Sequence, residues 1–337
     1  MKKITYSVIG GGWRAEFYLR IAALIPDRFK VACIYIRNPQ TADIISAKYD
    51  VNVVRSLEEL KKIPCDFFVN CIDKNNISFL SLKLADEGYA VLSETPACVD
   101  KKSAEIILNK YNSKMKIQIA EQFKLKPMYQ AVKKITDSGI LGEINYIYVS
   151  AAHEYHAMSL IRFFLGCDNG TVVSETGFNP TVLHTNFRYG EEEKEYRKSK
   201  QVIKIFDFGG KTAVYDFDSE QYFSPIRTDR LVIRGTRGEI VGNNVRYFNE
   251  NDEYIESKIV RSRSGNLDGF FYGNISFENK IVYKSPFPSA RISDEETAIA
   301  VNLEKMAEYV KSGTDFYDLY SAVRDVALWN NFEVFEK

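Results

Sequence analysis

The sequence predicts an α/β chain in two parts, a doubly wound parallel sheet over residues 1–121 and an α+β part over 122–337 with a large, mostly antiparallel sheet. Three observations carry this. Up to about residue 120, short apolar runs alternate with helix-length periodic segments. Beyond it, strand-like runs follow one another with few helices between them, and a glycine turn joins the very first run to the very first helix. Repeated β-α-β units imply right-handed crossovers and a ligand at the carboxyl ends of the strands. At 337 residues there is chain enough for two cores, since one core rarely exceeds about 250–300 residues.

In order, residues 4–9 are the first strand, Gly10, Gly11 and Gly12 the turn, and Trp13 the start of a helix that runs to Pro26. A second strand at 30–35, a helix at 40–49 and a short third strand at 51–54 follow. Ser56 and Glu59 have the Ser-x-x-Glu form of a capping box and open a short helix. Residues 66–72 are a continuous apolar run, as a strand covered on both faces requires. A helix over 77–87 stops at Gly88; a strand at 90–93, a helix at 100–111 and a strand at 116–120 complete the first part.

Lys126-Pro127 leads into a helix that ends at Ser138-Gly139, a strand covers 143–150, and a helix covers about 156–165. Strands are then expected at 181–189, 201–208, 212–217, 230–234, 239–248 and 254–261, and their apolar–polar alternation gives the sheet one wetter face. The charged run 190–200 reads as a solvated loop or hairpin end, and helices at 294–311 and 317–333 close the chain.

Lys+Arg and Asp+Glu number 45 each, so no basic excess argues for nucleic acid or an anionic membrane as partner. No apolar run approaches the length of a membrane span, and Met1-Lys2-Lys3-Ile4 leads straight into the first strand without room for a signal peptide; a cytoplasmic location is expected. Cys33, Cys65, Cys71, Cys98 and Cys167 are odd in number and form no Cys-x-x-Cys pair, which reads as buried free thiols. With only three histidines besides, no metal site is expected.

The spacing Gly10-x-Gly12-x-x-Ala15 is the Rossmann dinucleotide fingerprint in its final-Ala form. The first glycine permits the turn, the second lets a pyrophosphate approach the backbone, and the small third residue lets helix pack on strand. Free N–H groups and the positive helix end then face the phosphates, with Trp13 and Arg14 in the first helical turn and Arg14 adding a formal charge. A pattern of this kind is elsewhere a plain tight turn; the strand before it and the helix after it are what favour nucleotide binding. At the end of the second strand, Ile36 holds the place of the carboxylate that binds the ribose hydroxyls of NAD, and Arg37 and Asn38 follow. A missing carboxylate and a guanidinium favour NADP, with NAD possible, unless Arg37 is only a turn residue before Pro39. Ile72, which ends the fourth strand, Asp73 after it, and Gln122, after the sixth, also belong to the cofactor-binding set.

Ser93-Glu94-Thr95-Pro96, the turn Ser138-Gly139-Ile-Leu-Gly142-Glu-Ile, the segment His156-Ala-Met-Ser-Leu-Ile-Arg-Phe-Phe-Leu-Gly166, Asp294-Glu-Glu-Thr-Ala298 and Tyr320-Ser-Ala-Val-Arg-Asp325 stand out in order along the chain. Together they resemble the glucose–fructose oxidoreductase / inositol dehydrogenase / rhizopine-catabolism (Gfo/Idh/MocA) family. The resemblance spans essentially the whole chain and implies an oxidoreductase of sugars, cyclitols or similar polar compounds. It places Glu94, Thr95 and Pro96 beside the nicotinamide, with Pro96 after a cis bond, and makes His156 the active-site histidine. Where the family has a lysine that binds substrate and moves a proton, this chain has Thr95, which removes the ammonium acid of that mechanism. In Ala152-His153-Glu154-Tyr155-His156 the usual acidic and glycine companions are also replaced.

Hydride transfer to a carbonyl needs a proton donor, and imidazole titrates in the right range. His156 is therefore the leading candidate, with His153 or Tyr155 as substitutes for the lost lysine. Lys124 stands where relatives often carry an arginine facing the substrate, and is equally read as a solvated helix-start lysine. His184, alternating with apolar residues, reads as a satisfied sheet histidine. Two functions remain open: an NAD(P)-dependent oxidoreductase for a small polar metabolite, and a non-catalytic dinucleotide sensor on the same scaffold. A third keeps the cofactor bound and uses transient oxidation to assist an elimination or hydrolysis. A homodimer or homotetramer through the second sheet is expected in each case.

Overall fold

The computed structural model describes residues 3–334 except 187, 189, 191–193 and 267–268. Its first part is a six-stranded parallel sheet of β1 (Ile4–Ile9), β2 (Phe29–Tyr35), β3 (Val53–Val54), β4 (Phe67–Asn70), β5 (Val91–Ser93) and β6 (Ile117–Ile119), in the order β3-β2-β1-β4-β5-β6. Helices α1 (Trp13–Leu24), α2 (Pro39–Tyr49), α3 (Leu57–Lys61), α4 (Ile77–Asp86) and α5 (Lys101–Lys110) connect the strands. β4 and β5 are buried along their whole length, as their unbroken apolar runs require. The strand order reverses between β1 and β4, and the glycine turn sits at that point. Gly10 has φ +115°, and a Cβ on it would lie 2.9 Å from the Cys71 carbonyl oxygen, so the turn needs glycine on both counts.

The second part begins with α6 (Pro127–Asp137), β7 (Ile144–Ser150) and α7 (Glu154–Leu165). Among the described residues twelve further strands follow: β8 (Thr171–Phe178), β9 (Thr181–His184), β10 (Glu195–Lys198), β11 (Gln201–Asp207), β12 (Thr212–Asp218), β13 (Arg230–Gly235), β14 (Gly238–Val241), β15 (Asn244–Phe248), β16 (Tyr254–Lys258), β17 (Val260–Asn266), β18 (Gly269–Phe277) and β19 (Lys280–Tyr283). Seven of them join β7 in one eight-stranded sheet, β16-β15-β14-β13-β7-β12-β11-β8, antiparallel except for the parallel pair of β7 and β12. Its inner face, with Ile147, Val149, Tyr215, Ile233 and Val245, packs on Ala157, Leu160, Ile161 and Phe164 of α7.

This sheet corrects several expectations. The strand expected at 239–248 is the hairpin of β14 and β15, folded at Gly242. The strand at 254–261 divides between β16 in the large sheet and β17 in a separate three-stranded sheet with β18 and β19. The strand at 181–189 stops at His184 and pairs with β10, so the charged run does form part of a hairpin; 187, 189 and 191–193 lie outside the described residues. The expectation missed β8, an edge strand whose residues are mostly exposed and so carry no alternation.

The last two helices return to the first part. Ile299, Leu303 and Met306 of α8 (Asp294–Ser312) share a core with β1, β2 and α1, and Leu319, Val323 and Val326 of α9 (Leu319–Asn330) pack with α4, α5 and β6. α8 is pinned at its start by a capping box between Ser293 and Glu296. That start lies at the carboxyl edge of the parallel sheet, which brings the acidic first turn of α8 against the glycine turn.

Candidate active site

The glycine turn fits a dinucleotide. A Cβ on Gly12 would meet nothing within 4 Å, so the space a pyrophosphate needs is open, and the twelve-residue α1 starts there without a side-chain cap. Gly11 is tighter, since a Cβ on it would come 3.0 Å from Thr41 Cγ2 and 3.1 Å from Ile36 Cδ1. Ile36 is buried, while Arg37 and Asn38 are exposed at the strand end, and Asn38 Oδ1 caps α2 by accepting from Thr41 N at 2.9 Å. A second cation stands beside them. Arg55 donates to the carbonyls of Arg37 at 3.1 Å and Asn38 at 3.4 Å, and its own N–H is held by Glu59 Oε2 at 2.9 Å. Glu59 thus reaches Arg55 rather than closing the expected box onto Ser56, whose hydroxyl accepts from Glu59 N. Ile72 is half-buried past β4, and Asp73 folds back onto Asn75 N and Asn76 Nδ2, where it orders the turn before α4.

Arg14 is engaged by carboxylates in this structure. Its guanidinium donates to Glu295 Oε1 at 2.9 Å and lies 3.7 Å from Glu94 Oε1, so two carboxylates neutralise it. Glu94 is 4% exposed and also accepts from the Tyr18 hydroxyl at 2.6 Å. Burial pushes its carboxyl up, opposed by Arg14 and Tyr18. Trp13 is 43% exposed, lies edge-on to Phe17, and has the Arg188 guanidinium 4.6 Å over its ring. Thr95 follows Glu94, its N–H pointing at Glu94 Oε2 at 3.3 Å, and the Thr95–Pro96 bond is cis, as the resemblance implied.

The histidines meet this edge from the second part. α7 starts at Glu154, two residues earlier than expected, which makes His153 its N-cap and puts His156 in the first turn, facing inward. His156 Nδ1 lies 2.6 Å from Glu121 Oε2, and Glu121 Oε1 accepts from Phe123 N at 2.9 Å. Both side chains are buried, and burial is the main cause of both shifts: the Glu121 carboxyl is pushed up to about 8 and the His156 imidazolium well down. The pair is held as a neutral unit with one proton to share. Because Nδ1 is taken, Nε2 is the imidazole atom available to a substrate.

Three rings crowd His156: Tyr155 at 4.5 Å, Phe123 at 4.6 Å and His153 at 5.0 Å. Tyr155 is half-buried and its side chain meets that of Thr95; burial raises its phenol, opposed by Thr95. His153 Nδ1 lies 2.9 Å from the Tyr222 hydroxyl, and burial lowers the imidazole to about 4 with the neighbouring His156 adding to the shift. Lys124 is not solvated. Its Nζ lies 3.5 Å over the Tyr317 ring, and burial lowers it to about 8 against the pull of Glu121. Gln122 is 1% exposed with neither amide atom hydrogen-bonded, which leaves a buried polar group awaiting a partner. His184 is satisfied by Glu220 Oε2 at 2.8 Å, as expected of a sheet histidine.

Sequence reasoning missed Glu121, Glu295, Arg55, Arg188, Tyr222 and Lys126. Glu121 carried a signal, a carboxylate directly after the apolar run of the sixth strand, at the edge where ligands bind. Lys126 lies two residues past Lys124, in the lead into α6, and carried no motif of its own; the others come from segments remote in sequence.

No family model matches the sequence, and no curated protein matches it. Solved structures match over nearly its whole length. Levoglucosan dehydrogenase, in complex with NADH and levoglucosan, aligns with a TM-score of 0.68 at 13% identity over 98% of this chain and 96% of that one. A myo-inositol dehydrogenase from Corynebacterium glutamicum gives 0.64 at 15% over 98% and 95%. The WlbA dehydrogenase from Bordetella pertussis, in complex with NADH and UDP-GlcNAcA, gives 0.63 at 13% over 98% and 95%. The chain has the fold of these dehydrogenases, which are of the type its motifs resemble.

Proposed function

We propose that this chain, built on the fold of those dehydrogenases, is an NADP-linked oxidoreductase. Its substrate is the hydroxyl or carbonyl of a sugar-like or similar small polar metabolite. The observation that carries the reading is the buried His156–Glu121 pair, placed at the carboxyl edge of the sheet that bears the open Gly12 turn. When bound, the nicotinamide supplies or accepts the hydride. The chain's own part is to hold the phosphates on the turn and α1, to offer the unpaired carboxamide of Gln122 to the cofactor, and to present His156 Nε2 to the substrate oxygen. Glu121 fixes the orientation of the ring, and His156 with a neighbouring group handles the proton. Arg37 and Arg55, with Ile36 in place of a carboxylate, favour a 2′-phosphate.

The test is a fluorescence titration with NADPH and NADH, repeated on Arg37→Asp. Tight NADPH binding that the substitution turns toward NADH supports the reading, and no binding of either cofactor ends it. The non-catalytic reading is favoured by Thr95 and by the double neutralisation of Arg14. Turnover of any polyol or sugar by the NADPH-binding protein would remove it, and hydride exchange without net redox change would point to the assisted elimination. The division at residue 121 and the cytoplasmic location are part of the same proposal, as is pairing into a homodimer or homotetramer. The large sheet's exposed Val173, Phe178, Val241, Phe248 and Tyr254 support the pairing. A monomer by light scattering at micromolar concentration would refute it.

A further inference from the structure

Beside the open glycine turn stands a guanidinium that the reading above leaves without a task. Arg188 follows β9, and hydrogen bonds fasten the end of that strand to the 3-10 turn at Ser219–Tyr222 and the residues just past it. Thr185 Oγ1 donates to the Phe223 carbonyl and Ser224 Oγ to the Leu183 carbonyl, each at 2.8 Å, and His184 Nδ1 lies 2.8 Å from Glu220 Oε2. The guanidinium lies over two rings, Trp13 at 4.6 Å and Tyr222 at 4.9 Å. Trp13 opens α1 beside Gly12, and the Tyr222 hydroxyl lies 2.9 Å from His153 Nδ1. The His153 ring is 5.6 Å from that of Tyr222 and 5.0 Å from that of His156. Arg188 therefore stands between the phosphate side of the site and its histidines.

Aromatic rings hold a guanidinium by its face and leave the N–H groups in its plane to grip an oxyanion. Those of Arg188 have no acceptor among the described residues, and the side chain is exposed. Glu295 is near enough to feel the charge, yet its Oε1 accepts from Arg14 at 2.9 Å. The other cations of this edge are engaged: Arg14 by Glu94 and Glu295, Lys124 by the Phe316 carbonyl and the Tyr317 ring, Lys126 by the Phe123 ring. Arg188 keeps a planar fork unspent.

Resting on the oxidoreductase reading, we propose that Arg188 binds an oxyanion carried by the substrate, which makes that substrate a sugar acid or sugar phosphate rather than a neutral polyol. With His156 Nε2 at the reacting oxygen, the rings of His153 and Tyr222 lie between it and the guanidinium, so the carboxylate or phosphate sits at the far end of the molecule and not on the carbon next to the reaction. The cofactor's pyrophosphate is the other oxyanion of the site. Backbone N–H groups of the turn and α1 serve it, whereas Arg188 rests on the tyrosine that orients His153.

The test begins without cofactor. Trp13 and Trp329 are the chain's tryptophans, and an oxyanion drawn to Arg188 is expected to change the fluorescence of Trp13, a change identified by its loss in Trp13→Phe. The probes are glucuronate, galacturonate, gluconate and glucose 6-phosphate, with glucose as the neutral control. A saturable response to a probe and none to glucose is expected, weakened about tenfold or more in Arg188→Gln. The responding probe tells carboxylate from phosphate. In turnover with the nicotinamide cofactor, the best acid is expected to exceed its neutral parent in kcat/KM by about tenfold to a hundredfold, the worth of a charge-assisted pair. Arg188→Gln is expected to bring that ratio near one through KM, and Arg188→Lys to recover part of it, since the charge returns without the fork. No response to any of the probes overturns the proposal. So does an Arg188→Gln variant that loses NADPH affinity with the ratio unchanged, which would give the guanidinium to the cofactor. Failure of the parent to bind NADPH would sink the oxidoreductase reading instead, and the Trp13 titration would still be readable.

Discussion

Two charged clusters meet at the mouth of the parallel sheet, and they are satisfied in opposite ways. Around Arg14 the charges are paired: two carboxylates, Glu94 and Glu295, share one guanidinium, and Tyr18 adds a hydrogen bond. Around His156 no charge is matched by a full opposite charge. Glu121 and His156 hold one proton between them, while Lys124 and Lys126 rest on aromatic rings rather than on carboxylates. A paired cluster fixes geometry, here the approach of α8 to the glycine turn. A cluster of buried, shifted groups is where protons move at little cost. On the proposed function, the first cluster serves architecture and the second chemistry.

Substitutions test that division, and the largest effect is expected in the second cluster. His156→Ala should lower kcat by about 10²–10⁴-fold with NADPH affinity unchanged, read by steady-state kinetics and fluorescence titration. Equal activity in the variant would move the chemistry elsewhere. Next, the two glycines of the turn should separate stability from binding. Gly10→Ala, with positive φ and a carbonyl 2.9 Å away, should cost about 1–3 kcal/mol in urea unfolding. Gly12→Ala should leave stability unchanged, because its Cβ meets nothing, yet weaken NADPH by filling the open space. In the paired cluster, Arg14→Met should cost about 1–3 kcal/mol of stability by leaving Glu94 buried without its cation. If stability held and only turnover fell, Arg14 would belong with the chemistry.

The smallest effect is a pH dependence. His153 is lowered to about 4 in the fold from an ordinary 6.5, so the unfolded chain binds the proton first as pH falls. The stability it contributes is fully present above pH 6.5 and is lost as pH drops toward 4. Glu121, raised to about 8, acts in the opposite sense and costs stability as pH rises between its unfolded value of 4.5 and 8. His153→Gln should therefore flatten the urea midpoint between pH 6.5 and 4 and leave the alkaline side as it was. An unchanged acid limb would show that His153 is not held neutral by the fold.

What the sequence determined by itself is whatever depends on near neighbours in the chain. The glycine turn follows from backbone sterics at Gly10, the buried parallel strands from unbroken apolar runs such as β4, and the helix starts from caps at Asn38, Asp100 and Ser293. His156 was legible too, through a motif that lies in one stretch. Tertiary structure alone decided how the charges are shared, because that depends on which residues distant in sequence come within a few ångströms. Glu295 binds Arg14 across 281 positions, and Glu121 reaches His156 across 35. The strand register of the second part was settled the same way. β8 is an exposed edge with no alternation to read, and only the Gly242 turn separates β14 from β15. The reason is common to all three: spacing along the chain fixes backbone conformation, whereas burial and pairing, which set a carboxyl or an amine to its task, exist only once the two parts have closed on each other.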